Sequence, residues 1–422
     1  MSARTLLAIC RPTLSGSALL CMTAVLATAG GAPLVAGAQA HIDPPGARRV
    51  APLTTPRIAP LTDAELTDAH KTIVARFTRD GKPNNALRTL LRVPELAEAL
   101  MPYTTYLTNE TSISPRYREL LILRVAWLHG NENLWAEHAP RARIYGLDDA
   151  AIRRIAEGPD ASGWDRFDAM LLRLADQQYR NSSTTNATWK ALSERFDLFN
   201  LVDAIETVNH FTTLSIYYNS LGIQPDADLK DRLPADVPYK VTVPAREPAL
   251  TVPRIQPNQG RGINVGRTFG RYPLLNQRWS PRQSFILRTQ LLTPQQREML
   301  ILRMGWNCQA EYEWAKHVGS VGRAREIGLD PVKIAEGADS PAWPAFEKHI
   351  LRTADDLYRD GRVSDATWSG LATQFKPEQI MAAIYSSSVY RAISMSLNAY
   401  GVQLDDPADE RLPKLTGGRS GQ

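Results

Sequence analysis

The stretch at 293–317, TPQQREMLILRMGWNCQAEYEWAKH, decides the fold, because it predicts two helices joined by a tight turn. REMLILRMGW (297–306) is apolar on nearly all sides, which is typical of a helix buried over most of its surface. WNCQA forms the turn, and EYEWAKHVGSVGRAREIG is predicted to be the next helix. So short a connection indicates an antiparallel helical hairpin.

This hairpin sequence occurs twice in the chain. SPRYRELLILRVAWLHGNENLWAEH at 114–138 aligns with 293–317 without a gap, and NATW (186–189) aligns with DATW (365–368) in the same register. A repeat of this length exceeds the units of solenoid proteins, so it predicts two tandem domains. Helix-capping sequences and the scarcity of alternating β-branched runs indicate an all-α fold class for both copies.

The chain divides into six predicted segments. Residues 1–40 are predicted to be a cleaved signal peptide, since a basic start precedes an apolar stretch and AGAQA offers a small-residue cleavage site. The protein is therefore expected to be exported, with the periplasm as its location. The remaining segments are a proline-rich arm (41–60), a first domain (61–223), a proline-rich linker (224–260), a second domain (261–405) and a flexible tail (406–422).

Composition excludes several classes of protein. A hydrophobic fraction of 43% with 22% charged residues is typical of a globular domain. The net charge of +5 is too small and too evenly spread to predict a nucleic-acid partner. Removal of residues 1–40 would leave Cys308 as the only cysteine, so neither an internal disulfide nor a two-cysteine redox centre is expected.

A glutamate and a histidine stand opposite each other in each predicted hairpin. Glu298 and His317 are placed so that they reach nearly the same height on the two helices, and Glu119 and His138 have the same separation along the chain. A buried carboxylate facing an imidazole predicts a proton relay. The alternative is a structural hydrogen bond without a catalytic role.

Four further residues of the second hairpin are candidates for substrate binding: Arg297, Arg303, Glu311 and Trp314. Arginines so placed can hold a substrate carboxylate in forked geometry, or neutralise Glu298 and Glu311 within the fold. Glu311 also fits a helix-capping role, and Trp314 fits a core or pocket wall.

The second copy is the richer of the two sites by this reasoning, because Tyr312 and Glu313 are replaced by Asn133 and Leu134 in the first. Glu313 and His317 share a helix face, but two ligands are too few for a metal, so no metal site is predicted. His210 aligns with Val389 and is expected to be a core histidine.

Taken together, the motifs R-E-x-L-I-L-R-x-x-W, E-Y-E-W-x-x-H, I-A-E-G, D-A-T-W and N-x-x-G resemble the carboxymuconolactone decarboxylase family, which shares its fold with alkylhydroperoxidase D. The resemblance covers about residues 60–223 and 240–405. It implies small helical domains that assemble into trimers or hexamers with sites at subunit interfaces. A homo-oligomer, either a trimer or a pseudo-hexamer, is therefore expected of a tandem chain.

The resemblance also implies a chemistry. The C-x-x-C positions of the hydroperoxidase branch are occupied by Ala310 and Glu313 in the second copy, and by Asn131 and Leu134 in the first, so a dithiol peroxidase is not expected. The retained glutamate and histidine predict a decarboxylase or related lyase that needs no cofactor and acts on a carboxylactone or an aromatic-derived acid.

In this interpretation His317 donates or shuttles the proton, Glu298 tunes it, and Arg297 or Arg303 holds an anionic small-molecule substrate. Glu119 and His138 are the corresponding catalytic candidates of the first copy. Two alternatives stay open. One is a peroxidase of the alkylhydroperoxidase type that uses Cys308, and the other is a ligand-binding protein without catalytic activity.

Overall fold

The structure is a computed structural model that describes residues 45–46, 50–78 and 81–415. The predicted signal peptide lies outside this range, as do most of 41–49 and the end of the tail at 416–422. The described residues belong to one compact unit. They contain helices and no strand, which confirms the all-α fold class.

The helices of the first half follow one another through short connections. They are α1 (Asp68–Phe77), α2 (Asn85–Leu90), α3 (Pro94–Thr105), α4 (Pro115–His129), α5 (Glu132–Ile144), α6 (Asp149–Glu157), α7 (Arg166–Asn181), α8 (Asn186–Ser193) and α9 (Leu198–Leu221). A 3-10 turn at Asp63–Glu65 precedes α1, and a π turn at Tyr106–Glu110 extends α3.

The second half repeats this order without a counterpart of α1. Its helices are α10 (Asn264–Phe269), α11 (Pro273–Arg288), α12 (Pro294–Asn307), α13 (Glu311–Val318), α14 (Pro331–Glu336), α15 (Ala345–Arg359), α16 (Asp365–Leu371) and α17 (Pro377–Tyr400). Helices α9 and α17 begin and end at aligned positions of the sequence repeat, and α4 and α12 also begin at aligned positions. The sequence repeat is therefore also a repeat of structure.

The central helix of each half explains why the hairpin sequence is apolar on all sides. Helix α4 packs against α5, α7 and α9, while α12 packs against α13, α15 and α17. Every residue from Arg118 to His129 is buried. A helix enclosed by neighbours has no face left for solvent, so its sequence loses the usual amphipathic pattern.

The two halves join along their longest helices, α9 and α17, and through α3 against α11. Small polar side chains let α9 and α17 approach closely. Asn209 Nδ2 donates to Ser396 Oγ at 2.9 Å, and Thr213 Oγ1 donates to the carbonyl of Ser388 at 3.3 Å. Hydrogen bonds of this kind satisfy polar groups that the joint removes from water.

Two arginines from the proline-rich segments bridge the halves in a reciprocal way. Arg57, before the first copy, donates to the carbonyl of Ser220 in its own half and to that of Val363 in the second half. Arg254, before the second copy, donates to the carbonyls of Ala399 in its own half and Thr184 in the first, each at 2.9 Å. We call Arg57 and Arg254 the crossed arginines.

The acceptors of the crossed arginines occupy equivalent positions, since Val363 and Thr184 align with each other in the repeat. The same symmetry extends to the aromatic partners, because Arg57 lies over Trp368 at 4.8 Å and Arg254 lies over Trp189 at 4.9 Å. Each proline-rich segment therefore ties its own copy to the other one.

One helix is shorter than its sequence predicts. The helix expected over EYEWAKHVGSVGRAREIG ends at Val318, and a series of turns follows up to α14. Its counterpart α5 continues to Ile144. The prediction of a long α13 was therefore wrong, because the helix ends before Gly319 and the chain then turns back. No helix among the described residues is both long and apolar enough to cross a membrane.

Candidate functional site

Both hairpins bring their glutamate and histidine together. His138 Nδ1 lies 2.6 Å from Glu119 Oε2, and His317 Nδ1 lies 2.6 Å from Glu298 Oε2. All four side chains are exposed over 3% of their surface or less. The pairing across each hairpin, inferred from the spacing in the sequence, is thus observed, while the catalytic role of the pairs stays a prediction.

The charges of the first pair follow from its surroundings. Burial alone would raise the pKa of Glu119, but His138 and Arg118 outweigh it and hold that pKa below its usual value. Burial lowers the pKa of His138. The pair is therefore a carboxylate that accepts a hydrogen bond from the Nδ1–H of a neutral imidazole, and Nε2 carries the lone pair.

A cavity of about 500 Å³ opens beside His138. Its apolar wall comes from the helices of the first half: Phe77, Ala86, Leu87, Leu90, Met101, Leu134, Phe211 and Leu214. Its polar lining includes Arg118, Glu119, Glu137, His138 and Arg141. A cavity of this size, with an apolar wall and a few convergent polar groups, is typical of a small-molecule site.

Two arginines give the cavity a positive character. The Nε of Arg118 lies 3.3 Å from Glu119 Oε1, so part of its charge is balanced there. Arg141 lies on the last turn of α5 and is exposed, and its side chain forms neither an ion pair nor a hydrogen bond with another described residue. Its guanidinium is therefore available to a ligand carboxylate.

Glu137 is a second carboxyl group on the same wall. Part of its surface is exposed to the cavity, but the surrounding protein excludes most bulk water, and this burial raises its pKa to about 7. Asn84 Nδ2 donates to Glu137 Oε1 at 2.8 Å, its only side-chain hydrogen bond among the described residues. Glu137 is therefore partly protonated near neutral pH, unlike Glu119.

The second pair differs from the first in that both ring nitrogens of its histidine are engaged. His317 Nε2 lies 2.9 Å from Glu313 Oε1, so both ring nitrogens face carboxylates. Burial lowers the pKa of His317, but Glu298 and Glu313 outweigh it and raise that pKa to about 10. At neutral pH this imidazole is therefore a cation, and both of its N–H groups are engaged by side-chain oxygens of Glu298 and Glu313. In the first copy Leu134 replaces Glu313 and leaves His138 Nε2 without a hydrogen-bond partner among the described residues.

A loop also covers the second pair. After Val318 the chain turns back, so that Gly322 lies directly against the Glu298 carboxylate and the carbonyl of His317. A Cβ at position 322 would overlap both groups. Gly328 of the second half aligns with Gly146 of the first, but three more residues separate it from its histidine. These extra residues lie in the segment that covers the second pair.

The predicted substrate-binding residues lie in contacts within the fold. Arg303 donates to Asp355 at 2.6 Å and to the carbonyl of Ala335 at 2.6 Å, and its side chain is 1% exposed. Arg297 Nε donates to Glu298 Oε1 at 3.1 Å. These contacts favour the alternative in which the arginines neutralise carboxylates of the fold.

Glu311 and Trp314 do not join the pair either. Glu311 accepts a hydrogen bond from Arg411 at 2.8 Å and lines a separate cavity of about 390 Å³ beside the linker. Trp314 is fully buried, with its ring centroid 6.1 Å from that of Trp306. The structure therefore brings Glu298, His317 and Arg297 together, while Arg303, Glu311 and Trp314 make their contacts with other residues.

The remaining candidate groups are buried. Cys308 is fully enclosed, burial raises the pKa of its thiol, and its Sγ lies 3.8 Å from Met304 Sδ. His210 is a buried, neutral histidine that contacts Thr104 Oγ1 at 3.0 Å, as expected of a core histidine. The described residues include no cluster of three or more side chains arranged to hold a metal ion.

Sequence reasoning missed Glu137 and Arg141. One signal was available for Glu137, since the glutamate before His138 is replaced by lysine, Lys316, before His317. A charge reversal beside a shared histidine indicates that the two surroundings differ. Arg141 gave no such signal, because its position falls where the two copies differ in length.

Comparison with known proteins supports a family assignment. Residues 94–176 match the profile of the carboxymuconolactone decarboxylase family, and this segment holds α4, α5 and the Glu119–His138 pair. Over these residues the chain is therefore similar to the carboxymuconolactone decarboxylase family. No curated protein matches the chain.

Three solved structures are similar to about two fifths of the chain. An uncharacterised peroxidase-related protein from Silicibacter sp. TM1040 shares 17% identity over 43% of this chain and 96% of its own, with a TM-score of 0.38. An alkylhydroperoxidase AhpD core protein from Ralstonia eutropha JMP134, also uncharacterised and peroxidase-related, shares 18% identity over 41% and 94%, with a TM-score of 0.37. A cysteine-to-alanine debrominase variant in complex with 2,3,4-tribromopyrrole shares 12% identity over 42% and 95%, with a TM-score of 0.35.

Proposed function

We propose that the first copy is a lyase-type enzyme that moves protons in its cavity and acts on a small organic anion, with decarboxylation of a carboxylactone as its reaction. One observation carries this proposal. His138 lines a cavity of about 500 Å³ with its Nδ1 fixed by Glu119 at 2.6 Å, while its Nε2 has no partner among the described residues.

The Glu119–His138 pair supplies an oriented base. The Glu119 carboxylate accepts a hydrogen bond from the Nδ1–H of His138. This contact fixes the tautomer, so that Nε2 carries the lone pair. As the imidazole takes a proton, the buried carboxylate stabilises the cation that forms. The ring of Phe211, edge-on at 5.2 Å between centroids, limits rotation of the imidazole. General acid–base catalysis by such a group contributes about 10²–10⁴-fold to a rate.

The cavity selects the substrate by charge and shape. Arg141 provides an unpaired guanidinium at the rim, and Arg118 adds positive potential deeper inside. The apolar wall suits the carbon skeleton of a lactone or an aromatic-derived acid. In such a substrate the bond to the carboxylate breaks, its electron pair moves into a conjugated carbonyl, and CO₂ leaves. The substrate is the electron sink, and the cavity stabilises the enolate oxygen.

The second copy takes a structural role in this proposal. The clamp of Glu298 and Glu313 on His317 and the cover at Gly322 leave that imidazole no free nitrogen. The thiol alternative loses support, because a buried cysteine with a raised pKa holds little of the thiolate that attacks peroxides.

Turnover of carboxymuconolactone by purified protein tests the proposal, with other carboxylactones as companion probes. We expect His138→Gln and Glu119→Gln to lower kcat by about 10²–10⁴-fold. His317→Gln is the matched variant of the second copy. We expect its folded fraction to retain most of the wild-type kcat.

The opposite pattern would count against the proposal. Activity lost with His317 and kept with His138 would return the site to the second copy, as the sequence alone suggested. Peroxide consumption that disappears in Cys308→Ser would support the thiol alternative. Binding of the lactone without turnover would support a ligand-binding protein.

A further inference from the structure

We propose that Glu137 is the proton donor of this cavity and that it works with His138 as an acid–base couple. The inference rests on the proposed function, since it names a second catalytic group for the same site. Glu137 and His138 are consecutive residues of α5, and both side chains line the cavity.

His138 at rest lacks the proton that the reaction needs. Its Nδ1–H is engaged by Glu119 and its Nε2 is a lone pair. The dienolate left when CO₂ departs must nevertheless gain a proton at carbon. Glu137 is the carboxyl group of the cavity whose surroundings favour the protonated form, because burial raises its pKa to about 7.

Charged and polar groups from three elements face Glu137. Arg141 lies one turn further along α5, Asp226 follows α9, and Asn84 precedes α2. Arg141 and the hydrogen bond from Asn84 lower the pKa of Glu137, while Asp226 raises it. Burial raises the pKa of the phenol of Tyr218 in α9, and Glu137 is close enough to raise it further.

The lining of the same cavity also includes Lys82 and Arg118.

The second copy supplies a built-in contrast. The position of Glu137 is occupied there by Lys316, whose Nζ lies 2.9 Å from both Asp405 and Asp409. The same helix position therefore holds an acid beside the open imidazole and a paired cation beside the closed one. This difference is expected if Glu137 serves the chemistry of the open site.

The step balances without a co-reactant. The bond between the substrate carbon and its carboxylate breaks, the electron pair enters the conjugated carbonyl, and CO₂ leaves. Glu137 then gives its proton to the carbanionic carbon as the electrons return from the carbonyl, and the Glu137 carboxylate regains a proton from solvent. His138 Nε2 accepts this solvent proton and passes it to the Glu137 carboxylate, so that both groups end the cycle in their starting state.

Kinetics of three variants on carboxymuconolactone test the assignment. We expect Glu137→Gln to lower kcat by about 10²–10⁴-fold with little change in KM, because the amide keeps the shape and cannot donate an acidic proton. Asn84→Ala should move the alkaline limb of the kcat profile to higher pH, since it removes a hydrogen bond that lowers the pKa of Glu137. Glu326→Gln, at an exposed glutamate of the second half, is the control and should behave as wild type.

A spectroscopic readout separates this inference from the proposed function. The infrared difference between pH 6 and pH 8, taken for wild type minus Glu137→Gln, should show the carbonyl stretch of a protonated carboxyl at the lower pH. Absence of that band would overturn the assignment. So would full activity in Glu137→Gln when His138→Gln is inactive, a result that leaves the proposed function standing. Full activity in both variants would reject the proposed function as well.

Discussion

At the scale of single residues, one substitution separates the two histidines. Leu134 beside His138 and Glu313 beside His317 occupy the same position of the repeat. The leucine leaves a neutral imidazole with a free nitrogen, and the glutamate makes a fixed cation. Both arrangements keep the same Nδ1–carboxylate contact at 2.6 Å, so the second carboxylate decides the chemistry.

This contrast predicts a pH-dependent stability. The folded-state pKa of His317 is raised from 6.5 to about 10, so its contribution is fully present below pH 6.5 and is lost as pH rises through 10. Each pKa unit corresponds to about 1.4 kcal/mol. We expect Glu313→Leu, which copies the first half, to lower the His317 pKa and to reduce the stability lost between pH 7 and pH 10.

Denaturant unfolding at the two pH values, together with an NMR titration of the His317 ring, measures both effects. The comparison is between wild type and Glu313→Leu, because lysines and tyrosines titrate in the same range in both proteins. An equal loss of stability in the two proteins would show that the contact between Glu313 and His317 contributes nothing to the free energy of unfolding.

Cys308 gives a second prediction at this scale. A thiol that is fully buried and has a raised pKa should react with a disulfide reagent only when the protein opens. In a Cys10→Ser/Cys21→Ser background, we expect reaction to be at least about 10²-fold slower in native buffer than in denaturant. Rapid labelling of the native protein would revive the one-cysteine peroxidase.

At the scale of elements, the two sites differ at the end of α13. Where α5 continues to Ile144 and carries Arg141 to the rim, the chain after Val318 folds back over Glu298. The open and the closed site thus differ by the length of this helix and by a three-residue insertion.

Because Gly322 lies so close to its neighbours, a larger residue at this position is expected to lower the free energy of unfolding. Gly322→Ala places a Cβ against the Glu298 carboxylate and the His317 carbonyl, and we expect a loss of about 1–3 kcal/mol in unfolding free energy. Gly266→Ala in α10 is the matched control, since its Cβ would meet nothing within 4 Å, and it should be neutral or stabilising by about 0.5–1 kcal/mol. Similar stabilities for both variants would contradict the packing described for this loop.

The sequence predicted the elements better than their ends. Apolar residues at helical spacing and capping pairs such as Thr293 with Gln296 are local signals, so the paired helices and their repetition were recognisable. The loop after α13 contacts the hairpin through Gly322 and Glu298, which are distant in sequence. No local pattern encodes such a contact.

The same distinction holds for the site. The Glu–His pair was predictable because a hairpin turns a fixed spacing along the chain into a contact. The cavity was not, because its wall includes Leu87, Met101 and Phe211 from three separate helices. The second copy looked richer in sequence because its additional charged groups were visible there, whereas their mutual neutralisation is visible only in the structure.

At the scale of the whole molecule, the crossed arginines join the halves. Each guanidinium donates to backbone carbonyls on both sides of the joint, and these carbonyls would otherwise lose a partner. Removing one partner of such a bond costs about 1–3 kcal/mol for each group left unsatisfied.

We therefore expect Arg57→Ala and Arg254→Ala each to lower the unfolding free energy by about 1–3 kcal/mol, and by similar amounts because their backbone and aromatic contacts are equivalent. Arg261→Ala is the control, since Arg261 is exposed at the start of the second domain and forms no ion pair among the described residues. Calorimetry should show one cooperative transition for wild type and each variant. Separate transitions for the two halves would contradict a shared joint.

The crossed arginines also set an order of assembly during synthesis. The loop at Thr184 receives its partner only after Arg254 has been made, and Arg57, made first, finds its distant acceptor only when Val363 emerges. When the first half leaves the ribosome, Arg254 has therefore not been made, and Arg57 has not yet reached the carbonyl of Val363. Its final packing waits for almost the entire chain, so translation that stops between the two copies yields a domain whose longest helix, α9, lacks the surface against which it packs.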